Sequence, residues 1–387
     1  MTRKYVLAVD AINIRSGGGV THLSQLLNAA EPVLGGLQHI HIWTCRETAS
    51  KLPEKDWLTI HTPSWVDSNL FVRTLAQQFL IPKLVKRLEC DILYCPGGTL
   101  PAIRSIPTIT MSQNMLPFET EESRRFGVWS PMWLKMHTLR RIQGRAFRRA
   151  DGLVFLTDYA RERVIRVLGN IDSYIALIPH GIEERFRISP RKTKLLSHCS
   201  AQNPFRVLYV SILMPYKHQV EVAKAAALLR SKGFPIEMCF VGASWGEYGK
   251  HFALLLKQLD PEGEFLKWSG HKPFESMHSM YGGADLFVFA SSCENLPNIM
   301  IEAMAAGLPI ASSNKGPMPE VLGDAGIYFN PDFPSSIAES IEYLANDADL
   351  RSDLALRAYN LAKKYSWQRC ASQTIEFFVG VAKSNGG

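Results

Sequence analysis

The chain has 387 residues, more than one ordinary α/β core requires and enough for two domains. With 46% hydrophobic residues, 20% charged residues and no low-complexity tract, it falls outside the disordered, fibrous and collagen-like classes. Its seven cysteines never form a CxxC pair, so the sequence predicts neither a disulfide framework nor a zinc site and suits a reducing compartment.

The formal net charge of +7 lies mostly in the first half of the chain. The N-terminus runs directly into an apolar strand and lacks the features of a signal peptide, which predicts a protein that is not exported. The longest apolar run, 70–85, falls short of about 20 residues and is broken by Arg73 and Lys83. We therefore expect no transmembrane helix, and any membrane contact to be peripheral.

The first half alternates strands with helices. A strand "KYVLAVDAI" leads into a glycine loop "RSGGGV" and a helix that begins near Thr21. Further strands are predicted at "HIHIWTC", "CDILYC" and "IPTITM", with a helix over 71–88. Strands that alternate with helices predict a parallel sheet covered on both faces.

The second half repeats this organisation. Strands are predicted at "FRVLYVSIL", "IEMCFVG", "FLKWSG", "ADLFVFAS", "LPIASSN" and "GIYFN", and helices over 219–231, 247–259, 274–282 and 297–306. The polar stretch 188–204 lacks an apolar period and is predicted to be a linker. Two doubly wound domains are expected to bind ligands at the carboxyl ends of their strands, across a cleft.

Two acids bracket a nearly uncharged run, "SSCENLPNIMIEAMAAGLPI" (291–310). Glu294 is predicted in a loop after a buried strand, and Glu302 in the helix that follows. If helical geometry extended back to Glu294, the two would lie roughly 80° apart around the axis and face one ligand. The helix start offers an anion site, and carboxylates accept hydrogen bonds from sugar hydroxyls. The alternative is that Glu294 caps the helix and Glu302 lies on its solvated face.

The acid, seven residues, acid pattern and the following "EAMAAGLPIASSNKGPMPEVLGDAGIYF" resemble the nucleotide-sugar site of retaining glycosyltransferases of family 4. The resemblance extends to "LIPHGIEERF", "YVSILMPYKHQ", "WSGHKPFESM" and "YSWQRCA", in the family's order. It implies an α/β protein of the GT-B fold, in which two Rossmann-like domains face a central cleft. The implied segments are an acceptor-side domain (1–187), a linker (188–204), a nucleotide-sugar domain (205–365) and a C-terminal helix (366–387) that packs back on the first domain.

By this resemblance, Glu294 bonds hydroxyls of the donor sugar, Glu302 bonds the ribose, and Lys217 holds the donor diphosphate and stabilises its leaving charge. The ordinary alternative for Lys217 is a solvated lysine that opens a helix. The other donor-binding residues that the resemblance implies are Arg15, Gly17, Gly18, Gly19, Gly270, His271, Asn298 and Ile299. A glycine run alone is equally typical of a tight β-α turn.

The sequence departs from the family at two positions. Ile212 stands where relatives often have an arginine, and we expect Arg15 to be its substitute. Gln113 and Asn114 occupy the stretch where many relatives have a histidine, and amide contacts to the sugar are the expected replacement, with His180 and His271 as alternative histidines. No DxD motif follows a strand, so we expect no metal and no cofactor apart from the nucleotide diphosphate sugar as co-substrate.

Residues 124–150 combine eight basic residues with interleaved aromatic and aliphatic residues and contain no acid. This basic amphipathic pattern is typical of a membrane surface, of packing in its own domain, or of nucleic-acid binding, although no nucleic-acid motif accompanies it. On the membrane interpretation the contacts are Trp129, Trp133, Arg140, Arg141, Arg145 and Arg148.

The resemblance predicts a retaining hexosyltransferase that acts on a glycan acceptor, lipid-linked, in surface polysaccharide assembly on the inner face of the cytoplasmic membrane. GDP-mannose is the favoured donor and a UDP-sugar the second choice. An anionic membrane is the expected partner and nucleic acid is not; the oligomeric state is not predicted. The alternatives are a silent sugar-binding or scaffold protein and a GT-B epimerase or phosphorylase.

Overall fold

The computed structural model describes residues 4–33, 35–244 and 246–385, which form two compact units. The first unit is formed by the described residues up to Phe118, by Pro131–Gly181 and by the residues from Tyr365 onward. The second is formed by Glu119–Ser130 and Ile182–Lys364. Residues 119–130, which we call the crossing segment, therefore belong to the second unit although they lie in the first half of the sequence.

Each unit is built on one parallel sheet with strands linked through helices. The strands are β1 (Tyr5–Asp10), β2 (Leu37–Trp43), β3 (Leu58–His61), β4 (Ile92–Cys95), β5 (Thr108–Met111), β6 (Gly152–Phe155), β7 (Tyr174–Leu177), β8 (Phe205–Val210), β9 (Ile236–Val241), β10 (Leu266–Trp268), β11 (Leu286–Phe289), β12 (Ile310–Ser313) and β13 (Ile327–Phe329).

The helices of the described chain are α1 (Gly18–Ala29), α2 (Arg46–Ala49), α3 (Leu70–Arg87), α4 (Thr120–Arg124), α5 (Pro131–Arg149), α6 (Asp158–Leu168), α7 (Gln219–Ser231), α8 (Gly246–Leu259), α9 (Met277–Gly282), α10 (Asn298–Ala305), α11 (Met318–Leu322), α12 (Pro334–Asn346), α13 (Ala348–Ala362) and α14 (Trp367–Asn385).

The first sheet has the order β3-β2-β1-β4-β5-β6-β7. The order changes direction between β1 and β4, so their carboxyl ends border the crevice in which doubly wound sheets bind ligands. Strands β4, β5 and β6 are buried at every position, as expected for a parallel sheet covered on both faces. Helix α14 packs against α1, and Phe378 of α14 contacts Tyr94 of β4 at 4.7 Å between ring centroids.

The second sheet has the order β10-β9-β8-β11-β12-β13, and its change of direction falls between β8 and β11. The predicted α/β architecture of two Rossmann-like sheets is thus confirmed. Strands β3, β6 and β7 were not predicted. Helix α1 begins at Gly18, earlier than the predicted Thr21. Of the three glycines in the run, only Gly17, with φ of 66°, lies outside the helix.

The stretch predicted as a linker lies within the second unit. Ile188 donates its N–H to Ala305 (3.0 Å), and the Thr193 hydroxyl donates to the Ala348 carbonyl (3.1 Å). A backbone N–H and a threonine hydroxyl that donate to helical carbonyls hold this stretch against α10 and α13, which its lack of an apolar period does not reveal.

Candidate functional site

The strongest candidate site lies at the change of direction of the second sheet. Lys217 is in a 3₁₀ turn, Pro215–Lys217, that follows β8, and Glu294 is in the loop that follows β11. Because β8 and β11 are neighbours in a parallel sheet, these two loops leave the same edge side by side. The Ser292 N–H donates to the Tyr216 carbonyl (2.9 Å), which joins the two loops directly.

Lys217 and Glu294 form a direct ion pair through the Lys217 Nζ and Glu294 Oε1 atoms. Their side chains are only 7% and 16% exposed, which excludes a solvated Lys217. Burial lowers the pKa of the Lys217 ammonium, but the Glu294 carboxylate more than offsets this, and the net pKa is raised. Lys217 is therefore protonated at neutral pH, with Glu294 as its counter-ion. The Tyr209 hydroxyl fixes the turn by donating to the Lys217 carbonyl.

The residue after Lys217 has an unusual backbone conformation. His218 has φ of 54°, in the left-handed region that a β-substituted residue rarely adopts. Its buried imidazole lies 3.0 Å from the Ser292 hydroxyl and 3.6 Å from the Glu221 carboxylate. Backbone strain of this kind persists only where the surrounding structure imposes it, and it is frequent at functional sites.

Glu302 is buried in α10 at 8% exposure. The Tyr281 hydroxyl donates to its Oε2 atom (2.7 Å). Burial raises the pKa of Glu302 to about 7, although the Tyr281 hydrogen bond lowers it. The interpretation of Glu302 as a solvated surface acid is therefore wrong. Glu294 and Glu302 have different partners, Lys217 and Tyr281.

Helix α10 has Pro297 as its N-cap, without a side-chain capping bond, so Glu294 does not cap it. The predicted donor-binding residues Asn298 and Ile299 occupy its first turn. The Asn298 N–H donates to the Leu296 carbonyl (2.9 Å), and the Ile299 carbonyl lies 3.4 Å from the Tyr281 hydroxyl.

The crossing segment supplies residues that the sequence did not predict. Glu122 accepts hydrogen bonds from the Ser292 hydroxyl (2.5 Å) and from Arg125 (2.7 Å), and Arg125 also donates to Asp332 (2.7 Å). The ring of Phe126 lies 6.1 Å from that of Tyr216. The segment thus contacts both loops that carry Lys217 and Glu294. Its only sequence signal is the adjacent acidic and basic clusters in "ETEESRR".

In the first unit, the glycine run and Gln113 lie together. A Cβ atom on Gly19 would approach the Gln113 Oε1 atom to 3.3 Å, whereas Gly17 and Gly18 have open space. Arg15 donates to the Val66 carbonyl (3.1 Å) and pairs with Asp67 (3.7 Å).

Asn114 stabilises a local turn by accepting from the Leu116 N–H (3.0 Å). In the second unit, the loop after β10 contains Gly270, with φ of 63°, and exposed His271. The Gly270 carbonyl accepts from the Gly242 N–H (2.8 Å).

The first unit also contains two buried titratable groups, His180 and Asp10. His180 stacks on His22 at 4.3 Å, and burial holds the pKa of His180 well below its usual value, so it is neutral at neutral pH. Asp10 ends β1 and accepts from Gln77 (2.5 Å); burial raises the Asp10 pKa to about 6. An acid inside an apolar strand was the available signal for Asp10.

The residues predicted for a membrane surface divide into two groups. Trp129, 73% exposed, belongs to the second unit, whereas Trp133 stacks on His137 at 3.8 Å in α5. The remaining predicted contacts on α5 are Arg140, which is half-buried, and Arg141, Arg145 and Arg148, which are exposed. Helix α5 also buries Met136 and Phe147 in its own unit.

No helix in the described part of the chain is long and apolar enough to span a bilayer. Across residues 4–33, 35–244 and 246–385, no group of three or more His, Cys, Asp or Glu side chains is arranged to hold a metal ion.

Two family models match the chain in sequence. The model described as Glycosyltransferase Family 4 covers residues 16–186, and that described as Glycosyl transferases group 1 covers residues 193–361. The chain therefore consists of two glycosyltransferase domains, the first of which matches the family 4 model. The two matches take in the glycine run of the first unit and the Lys217, Glu294 and Glu302 positions of the second.

Several relatives of this chain are named as glycosyltransferases. O-antigen chain mannosyltransferase B of Escherichia coli is 32% identical over 114 residues, 30% of this chain and 30% of that protein. D-inositol 3-phosphate glycosyltransferase of Paenarthrobacter aurescens is 24% identical over 285 residues, 67% of this chain and 68% of that protein. Serotype-specific mannosyltransferase WbdA of Escherichia coli is 25% identical over 239 residues, 61% of this chain and 28% of that protein. The chain thus spans less than a third of both mannosyltransferases.

Solved structures confirm the predicted GT-B fold of this chain. Sucrose-phosphate synthase from Thermosynechococcus elongatus superposes with a TM-score of 0.79 at 16% identity, over 99% of this chain and 100% of that one. Anabaena HepE in complex with UDP and glucose superposes with a TM-score of 0.69 at 17% identity, over 99% of this chain and 100% of that one. WaaG, a glycosyltransferase involved in lipopolysaccharide biosynthesis, superposes with a TM-score of 0.69 at 13% identity, over 97% of this chain and 100% of that one.

Proposed function

We propose that the chain transfers a hexosyl group from a nucleotide diphosphate sugar to a hydroxyl of a glycan acceptor. The observation that carries the proposal is the buried contact of Lys217 with Glu294 where the second sheet changes direction. This pair places one cation and one acceptor-only carboxylate side by side at the position where such sheets bind nucleotides. A diphosphate suits the cation, and sugar hydroxyls suit the carboxylate.

In the proposed reaction, the bond from the sugar anomeric carbon to the diphosphate oxygen breaks and a bond to the acceptor oxygen forms on the same face. The departing phosphate takes the acceptor proton, and Lys217 stabilises the charge that develops on it. Glu294 orients the donor through its hydroxyls. Glu302 bonds the ribose with its orientation fixed by Tyr281. Anomeric retention and independence from divalent metal are part of this proposal.

We favour GDP-mannose as donor, since two relatives are named mannosyltransferases, with a UDP-sugar as second choice, since HepE binds UDP. The proposed acceptor is a lipid-linked glycan of surface polysaccharide assembly at the inner face of the cytoplasmic membrane. In the first unit, Gln113, Asn114 and the glycine run are the proposed sugar contacts, and Arg15 is the proposed substitute for the arginine that Ile212 replaces.

A thermal-shift panel of GDP, UDP, ADP and their sugars, each in EDTA and in magnesium chloride, tests the donor site. We expect one nucleotide to raise Tm equally in both media. The ligand-induced shift should vanish in Glu294→Gln and persist in Glu247→Gln, which neutralises an acid of the same unit that is 88% exposed. Stabilisation without transfer to any acceptor would favour a silent binding protein, and donor consumption without acceptor would favour an epimerase.

A further inference from the structure

Helix α3 exposes a row of large apolar side chains. Phe71, Leu75 and Phe79 are 72%, 43% and 55% exposed. Their spacing of four residues places them on one face of the helix. Residues outside this row, Ile81 and Val85, are buried and anchor the helix in the first unit. The row is therefore not required for the core, and it is a cluster of exposed hydrophobic residues that a soluble protein usually avoids.

The charge of α3 indicates what covers this row. The helix contains no acidic residue. Lys83, Lys86 and Arg87 are exposed in its C-terminal turns. An apolar row followed by lysine and arginine is typical of a helix that lies in the interface of an anionic bilayer. At 18 residues with six charged or amide side chains, α3 is suited to lie along the surface rather than cross it.

The loop after β4 extends the surface towards α5. Gln78 of α3 accepts from the Ala102 N–H (2.6 Å), and Arg149 of α5 donates to the Ala102 carbonyl (2.6 Å). Ile103, next to this junction, is 64% exposed. Beyond it, α5 exposes Arg141, Arg145 and Arg148. We call this combination the basic apolar face: the α3 row, Ile103 and the arginine face of α5, all within the first unit.

We propose that the basic apolar face docks on an anionic phospholipid surface, with Phe71, Leu75 and Phe79 of α3 seated among the lipid headgroups and acyl-chain ends. Phosphate headgroups complement Lys83, Lys86 and the α5 arginines. The sequence pattern of residues 124–150 predicted Trp129 and Trp133 as the apolar contacts, but Trp129 belongs to the second unit and Trp133 stacks on His137. This docking does not depend on the proposed transfer reaction, because α3 contains none of the residues assigned to it.

Vesicle flotation of the full chain tests the proposal. The probes are phosphatidylcholine vesicles with and without one-quarter phosphatidylglycerol. We expect the wild-type chain to float with the anionic vesicles. The triple variant Phe71→Ser/Leu75→Ser/Phe79→Ser should lose at least about tenfold in partition coefficient. In Lys83→Gln/Lys86→Gln the partition coefficient should fall about fivefold per charge on anionic vesicles and should be almost unchanged on neutral vesicles.

The matched control is Leu254→Ser/Phe333→Ser/Leu356→Ser, which removes side chains of the second unit that are 62%, 57% and 51% exposed. It should bind like the wild-type chain, and circular dichroism should show that all variants fold. Equal flotation of the α3 variant and the wild-type chain overturns the proposal. The proposal is also overturned if the wild-type chain sediments as a dimer, the α3 variant sediments as a monomer, and both float equally. That result would assign the α3 row to contact with a second copy of the chain.

Discussion

Replacing Glu294 with Gln leaves the Lys217 ammonium buried without a counter-ion. Because the two side chains are only 7% and 16% exposed, solvent compensates little for the lost charge. Removing one partner of a buried pair costs about 3–5 kcal/mol, and the amide oxygen of Gln retains part of the contact, so we expect about 2–3 kcal/mol.

The double variant Lys217→Met/Glu294→Gln should recover most of this loss, because replacing both members of a buried pair by neutral groups of similar shape is close to neutral. A double-mutant cycle then gives a coupling free energy of roughly 2 kcal/mol. Urea unfolding followed by circular dichroism measures each corner of the cycle. The exposed-acid variant Glu247→Gln serves as the control.

If the losses of the two single variants simply add in the double variant, the ion pair has no net coupling and the electrostatic account of this site is refuted. A Glu294→Gln variant as stable as the wild-type chain would likewise show that Lys217 does not depend on Glu294 for its charge.

Three further predictions concern other parts of the molecule. Burial raises the Glu302 pKa from 4.5 to about 7, so between these pH values the folded state holds a proton that the unfolded chain releases. The free energy of unfolding should therefore fall as pH rises from about 4.5 to 7. Urea unfolding at a series of pH values should show a smaller fall for Glu302→Gln than for the wild-type chain. Arg125→Leu removes the hydrogen bonds to Glu122 and Asp332. Limited proteolysis should therefore cut the crossing segment faster in this variant than in Arg124→Leu, which changes an exposed neighbour. Equal cleavage rates would show that Arg125 does not hold the segment in place. A Cβ atom on Gly181 would lie 2.1 Å from the Trp367 backbone nitrogen, so Gly181→Ala should lower Tm sharply, whereas Gly169→Ala, with open space but φ of 80°, should lower it less.

The sequence was sufficient to predict two parallel sheets, although not all strands of the first, and the two loops of the site. Continuous apolar runs mark β8 and β11, and each is followed by a polar residue, Lys217 or Glu294, in a loop. Because neighbouring parallel strands place their carboxyl ends at one edge, adjacency of the two strands is enough to bring these residues together.

The rest of the site depends on contacts that no local pattern specifies. Glu122 and Ser292 are 170 positions apart, and Tyr281 and Glu302 meet through packing between α9 and α10. Periodicity reports which face of an element is apolar, but not which element covers it. The aromatic residues of α5 illustrate the same limit, since the pattern cannot distinguish the partly buried Trp133 from the exposed Phe71 of α3.

The crossing segment determines how this chain can be recombined. Glu122 and Arg125 are encoded in the first half of the gene, whereas their partners Ser292 and Asp332 are encoded in the second. A chimera joined at Gly181, with a relative's sequence after it, would therefore combine the acid and guanidinium of one parent with the hydroxyl and carboxylate of another. Exchanging the second half of the chain between related proteins requires residues 119–130 to be transferred with it.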